Sequence, residues 1–184
     1  MTYSVVSTKA TGDTVAASDW NTYLRDNLAD HEARIIGNTF SGASVTRASN
    51  QSISTAAWTA VSWTAESTDQ GGWIATTSTT FTVPAGAIVA GYTSIFVSFG
   101  VSIYWAANST GGRGLRFLKN GTEYAGDTRL ATTGAMGVTV VAPDIIAVAG
   151  DTFTCEIYQD SGGALNAIGG TNALMATIRR TNYI

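Results

Sequence analysis

From residue 46 to the C-terminus the chain never sustains a helical period. Apolar residues alternate with Ser, Thr and Gly instead, and turn signals recur about every 8–12 residues. Short strands of this kind bury their apolar faces only by sharing one interior, which predicts an antiparallel β-sandwich. "TTFTV" sets Phe81 and Val83 on one face, and "YTSIFVSFG" and "VSIYW" are rich in β-branched and aromatic residues. "GLRFLKNGTEY" carries Asn120-Gly121, which suits a tight two-residue turn between Leu115–Phe117 and Glu123-Tyr124. The chain from Val138 to Arg180 supplies three or four more strands. Around Trp58 and Val61 strict alternation puts the two on different faces, so a register slip or bulge is expected there. No helical pattern recurs in this region, which argues against a parallel α/β fold, and no fixed-period repeat argues for a solenoid or propeller.

The N-terminal quarter is different. Thr11 to Ile35 holds the only His, two of the ten Lys and Arg, and five of the thirteen acids. Ser18 is placed as an N-cap, with Asp19 in the first turn complementing the helix dipole. Trp20, Leu24, Leu28, His31 and Ile35 follow at spacings of four, four, three and four, one apolar stripe on a helix of about five turns. Gly37-Asn38 is a ready stop. A lone helix of this length is marginal in water, so its stripe is expected to pack on copies of itself or on a larger particle. Residues 1–12 read as an extended arm able to add a strand to a neighbouring protein. The resulting division is an arm and helix over 1–36, a linker over 37–45, and a head over 46–184.

Composition narrows the partners. Only 12% of residues are charged, about half the roughly 25% of ordinary globular chains. Yet 45% are hydrophobic and 10% aromatic, which is not a disordered composition. So few charges imply a surface covered by Ser, Thr, Asn and Gly, or buried against copies and partners. A net charge of −3, with no basic cluster beyond Arg179-Arg180, gives no footprint for nucleic acid. The longest apolar candidate, from Ala87, is broken by Gly91, Thr93, Ser94, Ser98, Gly100 and Ser102, so no membrane insertion is expected. "MTYSVVSTKATGD" lacks the features of a secretion signal, which predicts synthesis in the cytoplasm. The single cysteine, Cys155, is in phase with Phe153 and Ile157 and reads as a buried strand thiol.

Little resembles catalytic machinery. A Ser-His-acid triad would depend on His31, which lies on the helix stripe. Glu66 and Asp69 in "AESTDQGG" are the one pair placed for glycoside hydrolysis, in a loop that reads more simply as solvated. "STGGRG" lacks the Lys-Ser/Thr ending of a phosphate loop. Asp144 and Asp151 lack calcium-loop spacing. No metal, no cofactor and no enzymatic activity are expected. Tyr104, Trp105, Asn108, Arg113 and Tyr124 are instead the residue types that shallow binding surfaces use.

Four stretches in series, "TFTVPAGAIVAGYTSIFVSFG", "LRFLKNGTEY", "VAGDTFTCEIYQDSG" and "NALMATIRR", resemble the tumour-necrosis-factor-like jelly roll, including the complement-type globular head. "TGDTVAASDWNTYLRDNL" resembles the opening of bacteriophage tail and appendage proteins. Together these resemblances imply a jelly-roll head on a homotrimeric virion protein, a tail-tip fibre or a capsid-surface spike. It would join other virion proteins through residues 1–36 and contact a host-surface glycan or protein. A polysaccharide-degrading head is the alternative reading.

Overall fold

The computed structural model of the chain describes residues 41–75, 77–89, 91–170 and 174–184, together with Leu24, Arg25 and Leu28. The chain divides into two compact units, one of residues 1–39 with 89–92 and one of 40–88 with 93–184. In the first, Leu24, Arg25 and Leu28 are helical, and Leu24 and Leu28 are exposed. Trp20, His31 and Ile35 lie outside the described residues. No helix among the described residues is long and apolar enough to cross a membrane.

The second unit is a jelly-roll sandwich. Its strands are β1 (Gly42–Thr46), β2 (Gln51–Ile53), β3 (Thr59–Ala60), β4 (Ala65–Gln70), β5 (Thr80–Thr82), β6 (Ile95–Trp105), β7 (Gly112–Lys119), β8 (Thr122–Leu130), β9 (Met136–Ala147), β10 (Thr152–Gln159), β11 (Leu165–Ala167) and β12 (Leu174–Tyr183). One sheet runs β9-β6-β12-β1-β4, and β11 and β2 extend it beside Trp105. The other runs β10-β7-β8, with β3 and β5 both on the free side of β10. From β5 onward the chain crosses repeatedly between the sheets, so neighbours in space are distant in sequence.

Alternation builds the interior. Along β6, Ile95, Val97, Phe99, Val101, Ile103 and Trp105 are buried, while Phe96, Ser98, Gly100, Ser102 and Tyr104 face out. From the opposite sheet come Phe81, Leu115, Phe117, Phe153, Cys155 and Ile157, all fully buried. Phe99 is the meeting point. Its ring makes edge contacts with Phe81 at 5.3 Å and Phe117 at 5.1 Å, and stacks on Phe153 at 6.1 Å. The Cys155 thiol sits in this interior as expected, and burial first, then the charge of Glu156, pushes its pKa up.

Asn120 and Gly121 both adopt positive φ, 51° and 77°, as the tight turn requires. Asp151 clamps that turn. Its carboxylate accepts Asn120 Nδ2 at 2.7 Å and the Val148 amide at 2.9 Å, and pairs with Lys119 Nζ at 2.9 Å. Asn120 Oδ1 accepts the Thr152 amide at 2.8 Å in return.

Four expectations are corrected. The segment expected as a linker, 37–45, contributes β1, which pairs with β12 on one side and β4 on the other, so the sandwich begins upstream of residue 46. "IFVSFG", the latter part of the first expected strand, and "VSIYW" form one strand, because Gly100 continues the pleat between Phe99 and Val101, while Tyr92–Ser94 precede it. "AESTDQ" is β4 and not a loop, and Asp69 accepts the Trp73 amide at 2.9 Å and the Ile74 amide at 3.3 Å. The slip or bulge expected near Trp58 is not found: β3 pairs with β10 without a register shift, and exposed Trp58 and buried Val61 take the opposite faces that plain alternation gives them.

Phe99→Ala is expected to cost about 3–5 kcal/mol, as large aromatic truncations in packed cores do, and urea unfolding followed by circular dichroism measures it. Acid sensitivity should be localised at Asp151. Burial pushes its carboxyl up, but hydrogen bonds from Asn120, Lys119 and Val148 and the charge of Lys119 outweigh that and hold it below its ordinary value. Its stabilising contribution is therefore complete above the unfolded-state pKa of about 4 and is lost as pH falls through the lower folded-state value. Urea midpoints between pH 2 and 6 should fall less steeply in Asp151→Asn than in the wild type.

Candidate functional site

One end of the sandwich is a crown of three loops: 106–111 between β6 and β7, 131–135 between β8 and β9, and 160–164 between β10 and β11. β1 runs from Gly42, opposite Arg179, to Thr46, opposite Met175, so the chain enters the sandwich toward the other end, which carries the Asn120-Gly121 turn. The crown is the end remote from that point.

Two buried polar side chains hold the crown from beneath. Arg113 on β7 and Gln159 on β10 are register partners, and both are fully buried. Arg113 donates from Nη1 to the carbonyls of Thr110 at 3.0 Å and Gly112 at 2.7 Å, and from Nη2 to that of Asn108 at 3.0 Å. Gln159 donates from Nε2 to the carbonyls of Ile53 at 3.0 Å and Gly163 at 2.7 Å. Its Oε1 accepts the Ser161 amide at 2.8 Å and the Ser161 hydroxyl at 2.7 Å. The loops are also tied to each other, by Gly112 N–H donating to Asp160 Oδ1 and Ala131 N–H donating to the Gly111 carbonyl at 2.9 Å. Gly111 has φ +75°, and a Cβ there would meet the Asp160 carbonyl at 2.5 Å, so position 111 needs glycine. Outward, the loops show mainly Ala, Asn, Ser, Thr and Gly, with Asp160 the charged residue of the three.

Of the five expected contact residues, Tyr104 is exposed beside the crown with its ring over Gly137, and Asn108 is half-buried and accepts the Thr110 amide at 2.9 Å. Trp105 and Arg113 need correction. Both lie in phase with the core and are completely buried, so their side chains support the crown from beneath and do not reach its outer surface. Tyr124 is exposed but stands toward the opposite end, stacked on Phe117 at 6.1 Å, so it does not join the others. Gln159 and Asp160 were absent from the expected set. The signal was there for Gln159, which continues the buried phase of Phe153, Cys155 and Ile157.

The outer faces of the two sheets differ sharply. On β10-β7-β8, Arg116 donates from Nε and Nη2 to Glu156 Oε2 at 2.9 and 2.7 Å and pairs through Nη1 with Glu123 at 3.1 Å. Its guanidinium lies 4.3 Å from the ring centroid of Trp58, which also contacts the Tyr158 ring at 5.3 Å. This face is closed by its own side chains. On β9-β6-β12 the outward rows are Ile146 and Phe96, then Val141, Gly100 and Thr177, then Thr139, Ser102 and Met175. Val141 is 62% exposed and Ile146 55%. Arg179 and the bulge residue Asp144 lie level with Ser98, between the first two of these rows. The rows from Gly100 to Tyr104 carry no charge.

The fold has known counterparts. The chain superposes on murine APRIL with a TM-score of 0.56 at 11% identity, over 78% of this chain and 100% of that one. It superposes on Eiger TNF from S. frugiperda with 0.51 at 11% identity, over 77% and 92%. For the globular domain of zebrafish complement 1qA the values are 0.50 and 13%, over 77% and 96%. No protein-family model and no curated protein matches the sequence. At these identities the likeness establishes the jelly-roll fold.

Gln159→Ala should remove the side-chain partner of the Ser161 amide and of the Ile53 carbonyl and lower stability by about 1–3 kcal/mol. Hydrogen exchange is the check: the Ser161 and Gly162 amides should exchange faster, while amides of β10 around Cys155 keep their protection.

Proposed function

We propose that this protein is a non-enzymatic, homotrimeric surface component of a bacteriophage particle, attached through residues 1–36 and presenting the crown outward. The observation that carries the trimer is the outer face of β9-β6-β12, whose rows from Gly100 to Tyr104 carry no charge, with Val141 and Met175 exposed in the single chain. An exposed apolar face on a soluble domain marks an interaction surface, and closed symmetry lets one patch cover another. Gly100 at its centre lets a second sheet approach the backbone closely. The opposite sheet, sealed by the Arg116 ion pairs and Trp58, is suited to remain on the outside.

The phage assignment is supported by the resemblance of "TGDTVAASDWNTYLRDNL" to appendage-protein openings. Exposed Leu24 and Leu28 supply an apolar strip for copies of the helix or for a particle surface. The crown's small neutral residues, on a backbone held from beneath, fit weak contact with a host-surface glycan or protein, strengthened by repetition across trimers and particles. The polysaccharide-degrading alternative is weakened by Asp69, whose two oxygens are spent on the Trp73 and Ile74 amides.

Light scattering at micromolar concentration should give a trimer mass. Val141→Asp should shift it to monomer with the β-sheet circular dichroism intact, and Thr154→Asp on the opposite face should leave the trimer whole. A wild-type monomer would refute the reading. A chain starting at residue 38 keeps β1 and should still form the trimer, but should no longer join particles.

A further inference from the structure

The turn between β7 and β8 carries a chemically reactive pair. An Asn followed by Gly is prone to cyclise, because no side chain on the second residue hinders its amide nitrogen from attacking the Asn carboxamide. Asn120 and Gly121 are both exposed, and nothing lies within 4 Å of where a Gly121 Cβ would stand. Water, the other reactant, therefore has access. What opposes the reaction is the fixing of the Asn120 side chain. Its Nδ2 donates to Asp151 Oδ1 at 2.7 Å, and its Oδ1 accepts the Thr152 amide at 2.8 Å and the Thr152 hydroxyl at 3.2 Å. The Asn120 amide donates to the Thr152 carbonyl at 2.9 Å. Both ends of the carboxamide are thus held on the segment that leads into β10.

We propose that Asn120 is a latent deamidation site held shut by Asp151 and Thr152, and that its conversion is a one-way opening of this end of the sandwich. When the clamp opens, the Gly121 nitrogen gives up its proton and bonds to Asn120 Cγ. The bond from Cγ to Nδ2 breaks, and ammonia leaves. Water then adds to the cyclic imide, and opening at either carbonyl leaves aspartate or isoaspartate at position 120. Water is taken up and ammonia released, with no oxidation or reduction. The product cannot close the clamp again. A carboxylate oxygen would stand where Nδ2 now meets Asp151 Oδ1, and two carboxylates so close repel. Burial pushes the Asp151 carboxyl up, and the bond from Asn120 comes first among the interactions that hold it below its ordinary value. Losing that bond therefore also weakens the hold of Asp151 on the Val148 amide and Lys119.

The site is independent of the phage reading and is tested on the full chain. Native protein and protein unfolded in urea are incubated at mildly alkaline pH, and conversion at position 120 is followed by peptide mass and isoaspartate content. The native chain should convert at least about tenfold more slowly than the unfolded one. Asp151→Ala removes the acceptor of Nδ2 and should raise the native rate by roughly ten- to a hundredfold, as loss of a hydrogen bond to a charged group raises an opening equilibrium. Gln159→Ala weakens the opposite end of the sandwich and should leave the rate near that of the wild type. Asn120→Asp stands in for the product, and its Val148 and Thr152 amides should exchange faster than in the wild type. The first and last measurements keep the test whole if Asp151→Ala does not fold. A native chain converting as fast as the unfolded one, an Asp151→Ala rate no higher than the wild type, equal acceleration by Gln159→Ala, or unchanged exchange in Asn120→Asp would overturn the proposal.

Discussion

The cross-sheet contact of Phe99 with Phe81, Phe117 and Phe153 fixes the separation and relative position of the two sheets. Three of the four rings belong to strands of the second sheet and one to the centre of the first. Edge-on and stacked rings tolerate little sliding, because their attraction depends on the offset between centres. With the sheets locked in this way, the register of β6 decides everything around it. Its inward residues set the core, and its outward residues form the outer face it shares with β9 and β12. At its end, Trp105 and the neighbouring Arg113 set the floor of the crown.

The two outer faces illustrate how one fold separates a finished surface from an unfinished one. Where β10, β7 and β8 meet solvent, polar and aromatic groups satisfy one another: Arg116 neutralises two glutamates and supports Trp58. Gly114 makes room for that indole, since a Cβ there would meet Trp58 at 2.7 Å. On β9-β6-β12 the Ser102 and Thr139 hydroxyls meet across two strands at 3.1 Å. The low charge content of the chain is therefore unevenly spent.

Much of the fold could be read from local chemistry. The Asn120-Gly121 turn announces itself because few dipeptides accept positive φ at both positions, and Cys155 announces its burial by its phase with Phe153 and Ile157. β1 could not be read in this way. "GASVT" has the composition of a linker, and only the tertiary partners β12 and β4 make it a strand. Arg113 misled for a related reason. A cation beside glycines suggests a surface loop, whereas its alternation with Leu115 and Phe117 places it inside. Which face is apolar was hidden as well, because it depends on pairing between strands far apart in the chain. The same holds for which loops share an end.

Because the crown is tied down by hooks from below, its geometry and its chemistry are governed by different residues. Arg113, Gln159, Asp160 and Gly111 determine where the main chain runs. Ser109, Thr110, Thr132 and Thr133 merely ride on it, exposed to solvent. Such a division permits a lineage to exchange the riding side chains freely while the supports stay constant. The backbone of such an end can therefore stay constant while the side chains it carries change.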